Sequence, residues 1–413
     1  MKTVFGLVAL LAWPSLAMAH GNRFSLSAIS IAPDDSNTWW ANANGWGVVY
    51  TTDAGASWTW RCEEGIPTQS VYDLIAVDGQ RALLATSDGL ETVGADCVNT
   101  PLDGLPADAF ATVVARANDG YYAAIYAAGS GGLYRCALDA SPECVATELQ
   151  GLYVKSVAVS EDADGERIYA TSADATTLAE RLWTSTDGQA FTAVADWPDG
   201  DVDLRILAVD DGRLWLWRIP RTSDGTPTLL FSADHGMTYA EIFSDGLYTD
   251  PVPGMAVDGN DVWLGSDVGR TWRSMDGGRH FSEVSDVEPA VRCSDKAGDL
   301  LLVCADHFAD GFDVGIWDGG QRWAGAGCLD AAAVDSCGGD TCQNYHDAFV
   351  TAGAYGGGSC YVTPAAGPPT CGCSGDSATA LLFVPITLLF GAARSRRRRT
   401  PAGFPRGRRR KTG

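Results

Sequence analysis

The chain has 413 residues, 52 acidic against 29 basic, for a net charge of −23. Such acidity works against a nucleic-acid or anionic-lipid partner for the folded body, and the length suits one large domain or two ordinary ones. Forty-eight glycines, 14 tryptophans and 10% aromatic residues, with short apolar alternations, favour an all-β fold rich in turns.

The first 19 residues read as a secretory signal peptide. Lys2 supplies the positive start, 4–12 an apolar run, and Ala17-Met18-Ala19 a small-x-small cleavage site, so the mature chain is expected to begin at His20. Pro14 interrupts the run and argues against a retained anchor there.

Seven units follow. Each opens on an apolar strand, at 28–33, 73–77, 111–115, 155–159, 205–209, 253–257 and 290–293. A second strand comes next, such as Leu214-Trp215-Leu216-Trp217, and a third leads into a turn. Three turns share one pattern, [Ser/Thr]-x-Asp-x-Gly-x-x-aromatic: Thr51 to Trp58 around Asp53, Ser232 to Tyr239 around Asp234, and Ser274 to Phe281 around Asp276. A shortened form surrounds Asp187, and a form without the hydroxyl surrounds Asp318. In such a turn the carboxylate accepts unpaired backbone N–H groups, the hydroxyl joins it, and the glycine takes φ > 0. The aromatic then enters the next strand to pack between sheets. These aspartates therefore read as turn staples, not catalytic acids.

Asp187, Asp234, Asp276 and Asp318 follow one another at 47, 42 and 42 residues, the size of a four-stranded propeller blade. The expected architecture is a seven-bladed β-propeller of four-stranded antiparallel blades over 20–327, with the strand near 24–26 completing the last blade. The pattern resembles the Asp-box, or BNR repeat, of sialidase-like and sortilin-like propellers. That resemblance implies the fold and leaves function open, because enzymes, receptors and assembly factors share the hairpin. Insertions at 173–180 and 218–228 are expected on a propeller face, where binding loops gather.

Twelve cysteines fit an oxidising compartment. Cys136 with Cys144, and Cys293 with Cys304, flank local turns. Cys62 and Cys97 end successive units and are candidates to join neighbouring blades. Cys328, Cys337, Cys342 and Cys360 are expected to form two bridges in a Cys-rich stalk and linker over 328–370. No Cys/His spacing of a zinc finger occurs, and no metal or cofactor is expected.

Catalytic signatures are weak. Arg218-Ile219-Pro220 matches a sialidase motif out of its expected order, and there is no Gly-x-Ser-x-Gly elbow or His-Glu-x-x-His. A glycoside hydrolase of sialidase-like propeller type is the alternative to a non-catalytic recognition or scaffold module.

The C-terminus combines Cys371-Gly372-Cys373, an apolar stretch over 378–393 and an arginine cluster ending at Arg399. This three-part tail resembles the MYXO-CTERM sorting signal of myxobacterial surface proteins. The resemblance implies processing by an envelope sorting protease, with Cys373, or Cys371 in reserve, as the processing and lipid-attachment point. It also implies a surface-exposed protein held to the membrane by the helix or a lipid. The positive-inside preference puts the propeller outside, where a surface protein or a glycan is the expected partner. The basic extension 400–413 departs from the usual ending.

Overall fold

The second strand of most units is apolar on both sides. Residues 82–85, 214–217 and 262–264 are buried without alternation, as expected for strands pressed between two sheets. In the computed structural model the units become six four-stranded antiparallel sheets and one five-stranded sheet. The structure describes residues 25–352, except 67–69, 129–130, 138–142, 223–224, 245–253, 267–268, 285–287, 306–309, 318, 320–322, 328 and 330–331. Residues 1–19, Cys328, Cys360, Cys371, Cys373 and the apolar stretch 378–393 lie outside the described residues. Among the described residues no helix is long and apolar enough to cross a membrane.

The sheets are seven blades of a propeller, at 28–61, 71–101, 110–146, 153–197, 202–243, 255–283 and 293–327. We number them 1 to 7. Each is built from four consecutive strands, and the first strand is innermost. The inner strands touch in sequence around the ring, and Cys293–Ala297 of blade 7 returns to Ala28–Ile31 of blade 1. They enclose a channel of about 840 Å³.

Because the strands alternate in direction, the turns segregate. First-to-second and third-to-fourth turns share one face, here the hairpin face. Second-to-third turns and the connections between blades share the other, here the entry face.

Closure of the ring differs from the sequence expectation. Among the described residues no N-terminal strand completes blade 7, whose four strands all come from 293–327. Leu26 instead packs into the seam between blades 1 and 7, with Trp39, Trp58, Leu302, Val314 and Ala326. The N–H of Ile31 reaches Asp295 Oδ2 across that seam at 2.7 Å. The chain beyond blade 7 then locks it. Ala333–Val334 adds as a fifth, parallel strand to Thr59–Arg61 at the outer edge of blade 1.

Asp335 follows, 5% exposed, against Arg61, which is fully buried. Its Oδ2 accepts from Arg61 Nε at 2.9 Å and Nη2 at 2.7 Å, and from the Tyr50 hydroxyl at 3.3 Å. Its Oδ1 takes the Cys337 N–H at 3.0 Å. Arg61 also donates to the Gly94 carbonyl of blade 2 at 2.9 Å. The helix Gly339–Ala352 lies against the short turn Glu63–Gly65.

The disulfides divide accordingly. Cys136–Cys144 and Cys293–Cys304 form within blades 3 and 7. Cys62 and Cys97 do not pair with each other, and Cys337 and Cys342 are not bridged within a stalk. The bridges are Cys62–Cys342 and Cys97–Cys337, which fasten the C-terminal segment to blades 1 and 2. Local grouping misled the sequence reading because cysteines far apart in the chain meet once the ring closes.

The long bridges close 280 and 240 residues, against 8 for Cys136–Cys144. With Cys97–Cys337 in place, the loop closed by Cys62–Cys342 shortens to about 40 residues, and loop-closure entropy still makes it worth about 1.4 kcal/mol more than the short bridge. Replacing Cys62 and Cys342 by alanine should lower the calorimetric melting temperature clearly more than replacing Cys136 and Cys144.

Candidate functional site

The predicted turn residues come together in four blades. In blade 1, Asp53 Oδ1 accepts from the Thr51 hydroxyl at 2.7 Å and the Ser57 N–H at 2.8 Å, and Thr51 Oγ1 takes the Gly55 N–H at 3.0 Å. Blade 5 repeats this with Ser232, Asp234, Gly236 and Thr238, and blade 6 with Ser274, Asp276, Gly278 and His280. Asp187 in blade 4 does the same in a turn one residue shorter.

The glycines take φ between +70° and +88°, and each lies against the neighbouring blade. A methyl group on Gly278 would stand 2.3 Å from the Trp215 indole nitrogen, and one on Gly55 2.3 Å from the Ala326 carbonyl. The aromatics cross the same boundary. Tyr239 packs on Trp197 and Phe281 on Phe243, while Trp58 meets Trp39 within its own blade. Each turn therefore reverses its own strand and fastens its blade to the one before. The Thr238 hydroxyl and amide, with Ser232, hold the Asp234 carboxyl down at about 2. The His280 side chain does the same for Asp276. These carboxylates are committed to local structure.

Carboxylates facing the channel serve the same end. Asp73 accepts from its neighbour Leu74 N–H at 2.9 Å and from Val114 N–H of blade 3 at 3.0 Å. It opens only onto the channel, deep in the ring, and burial pushes it up to about 7. Asp295 holds Ile31 likewise, and burial raises it too. Arg116 spans two blades, donating to the carbonyls of Ile31 at 2.9 Å and Ala76 at 2.6 Å.

The entry face carries features that the sequence reading did not single out. Four aromatic rings line the mouth across blades 2 to 4. Phe110 stacks on Tyr126 with centroids 4.9 Å apart, Tyr153 meets Tyr126 edge-on at 4.4 Å, and Tyr72 lies 6.4 Å from Phe110. Tyr72, Phe110 and Tyr153 are 48%, 38% and 42% exposed, whereas most large apolar side chains of the blades are buried. Tyr126 anchors the row by donating to the Val154 carbonyl at 2.7 Å. A sequence signal existed: an aromatic stands one or two residues ahead of the strand opening in three successive units.

Beside Tyr153, blades 4 and 5 hold a charge network. Lys155, 3% exposed, pairs with both Glu180 and Asp203. Arg221 also pairs with Glu180, and Arg205 Nε lies 3.4 Å from Asp203. Burial outweighs these cations and raises the Glu180 carboxyl. The two predicted insertions meet here, since Arg221 donates to the carbonyls of Leu178 at 2.9 Å and Gly200 at 2.8 Å. Arg218 of the Arg-Ile-Pro run pairs with Glu241 of its own blade.

Two groups of metal-ligating residue types occur among the described residues: Cys62, Glu64 and Cys342, and Cys97, Asp335 and Cys337. Both consist of a bridged cystine beside one carboxylate, so their sulfurs are not thiolate ligands.

No protein-family model and no curated protein sequence matches the chain. Solved structures do. One is the extracellular domain of a hybrid two-component system from B. thetaiotaomicron, at 13% identity and TM-score 0.48, covering 69% of this chain and 37% of that one. Another is Kuenenia stuttgartiensis hydrazine synthase, at 13% identity and TM-score 0.48, covering 73% and 98%. YCF48 from Cyanidioschyzon merolae matches at 16% identity and TM-score 0.43, covering 68% and 93%. The chain thus spans little more than a third of the first of these. Its seven-bladed, four-stranded, disulfide-bonded all-β ring is read from its own strands and bridges.

Thr238→Val should raise the Asp234 carboxyl from about 2 towards the ordinary value, read by carboxyl NMR titration. The staple should then be lost at a higher pH on acidification, because a depressed carboxyl stabilises the fold only above its own titration. Lys155→Met strands Glu180 and Asp203 with less compensation and should cost about 3–5 kcal/mol in denaturant unfolding.

Proposed function

We propose that this protein is an exported recognition or scaffold module, displayed at the cell surface and without chemistry at its ring. The observation that carries this reading is the exposed aromatic row at the channel mouth, on a ring whose channel aspartates Asp73 and Asp295 are spent on backbone N–H groups. An exposed apolar patch rimmed by polar residues marks an interaction surface. The repeated hairpins support membership of the Asp-box propellers. On the same reading 1–19 is a signal peptide, and 371–399 a sorting signal acting through Cys373 or Cys371. The anchor would follow residue 352, the last described position of a segment fastened to blades 1 and 2 by two disulfides. The partner would be a surface protein or a glycan.

A sialidase-like hydrolase is the second reading, and the charge network gives it its one foothold. Glu180, Asp203, Arg205 and Arg221 gather near Tyr153 on one face. Resemblance to sialidases would call for an arginine triad with a Tyr–Glu pair, and glycosidases of other kinds use two carboxylates facing each other across the scissile bond. Here the Lys155 ammonium occupies the position between them. A panel of fluorogenic glycosides, sialosides included, should show no turnover above buffer. Turnover abolished by Glu180→Gln or Asp203→Asn would overturn the non-catalytic reading.

A further inference from the structure

The charge on the entry face is unevenly distributed. Among the described residues, this face in blades 2 and 3 is built from 62–66, 70, 87–88, 102–110, 127–128, 131 and 147–153. These segments contain Glu63, Glu64, Asp88, Asp103, Asp108 and Glu148, and not one lysine, arginine or histidine. Asp88, Asp103, Asp108 and Glu148 are exposed. Elsewhere the chain mixes its charges. The hairpin turns of the same blades carry Arg81 on Asp78 and Arg135 on Asp119. In blades 4 to 6 arginines cover the ring faces of Trp183, Trp215, Trp272 and Trp263.

The aromatic row opens on the uncompensated sector. Phe110 follows Asp108 by two residues, and Tyr72 precedes Asp73. A second observation points the same way. Glu91 of blade 2 is 6% exposed, and one of its carboxylate oxygens has no hydrogen-bond partner among the described residues. Burial, then the neighbouring Asp88, pushes its carboxyl up to about 7. An unmatched buried carboxylate beneath an acidic rim is relieved by a cation from outside. Exposed Tyr and Phe faces attract ammonium and guanidinium groups through their quadrupoles, and acid around them adds long-range attraction.

We infer that the row Tyr72, Phe110, Tyr126 and Tyr153, with the acidic rim of blades 2 and 3, docks a lysine- or arginine-bearing segment of a partner protein. The cationic side chains lie over the exposed rings, and Asp88 and Asp108 supply counter-charge. A neutral glycan would use the rings but not the charge. The cations beside Tyr153 (Lys155, Arg205 and Arg221) are already paired with Glu180 and Asp203, so the rim would repel an anionic glycan or nucleic acid. This inference rests on the recognition reading and narrows its partner class.

The test uses the full chain and three probes: a fluorescein-labelled peptide of alternating lysine and glycine, an equal peptide of glutamate and glycine, and a neutral malto-oligosaccharide. The lysine peptide should bind, more weakly as salt rises, and the other two should not. Phe110→Ala and Tyr153→Ala should each weaken it about tenfold. Asp88→Asn and Asp108→Asn combined should flatten the salt dependence. All four positions are exposed, and unchanged melting of the variants confirms the fold. Asp164→Asn with Asp299→Asn, on the hairpin face, should leave binding as it was. Lysine-peptide binding that ignores the row and rim variants overturns the inference. So does failure of that peptide to bind, or binding of the oligosaccharide that Phe110→Ala abolishes. Hydrolysis of a glycoside probe would instead overturn the recognition reading itself, so the two failures are distinct.

Discussion

The buried pair of Arg61 and Asp335 is where the ring is held shut. Blades made of four consecutive strands leave nothing in the local pairing to keep the last blade against the first. The apolar seam and the Asp295–Ile31 hydrogen bond do part of this. The decisive constraint is the chain after blade 7, which returns to the outer edge of blade 1. There Asp335 receives four donors, and Arg61 reaches on to the Gly94 carbonyl of blade 2. A buried ion pair is most stabilising when its remaining hydrogen-bonding capacity is met; Asp335 meets that condition, while Arg61 Nη1 is buried without a hydrogen-bond partner among the described residues. The two long disulfides then make the same register covalent.

The other blades are joined more cheaply in sequence terms, through their turns. In blades 1, 4, 5 and 6 a hydroxyl–carboxylate pair folds the third-to-fourth turn and lays its glycine against the preceding blade. Blades 2 and 3 lack that pair and carry cystine sulfur instead, at Cys97 and at Cys136–Cys144. Covalent staples thus serve two adjacent blades, and hydrogen-bonded ones blades 1, 4, 5 and 6 of the same ring. Blades 2 and 3, which carry cystine in that place, are also those whose entry-face segments hold no basic residue.

Local physics was legible in the sequence, and long-range pairing was not. The spacing of Asp187, Asp234 and Asp276 set the blade length, because every blade needs the same reversal at the same place. Cys136 and Cys144 were readable as a pair because a short turn separates them. Cys62 with Cys342 was not, since 280 residues intervene and only ring closure brings them together. The strand at 333–334 was hidden for the same reason: two residues have no periodicity to read. Tyr72, Phe110 and Tyr153 lie at the opposite end of each blade from the turn motif, and only their place just ahead of the strand openings marks them in the sequence.

Disulfide mapping tests the closure most directly. Non-reducing proteolysis followed by mass spectrometry should yield peptides joining Cys62 to Cys342 and Cys97 to Cys337. Peptides joining Cys62 to Cys97, or Cys337 to Cys342, would contradict it, because the C-terminal segment could not then be fastened to blades 1 and 2.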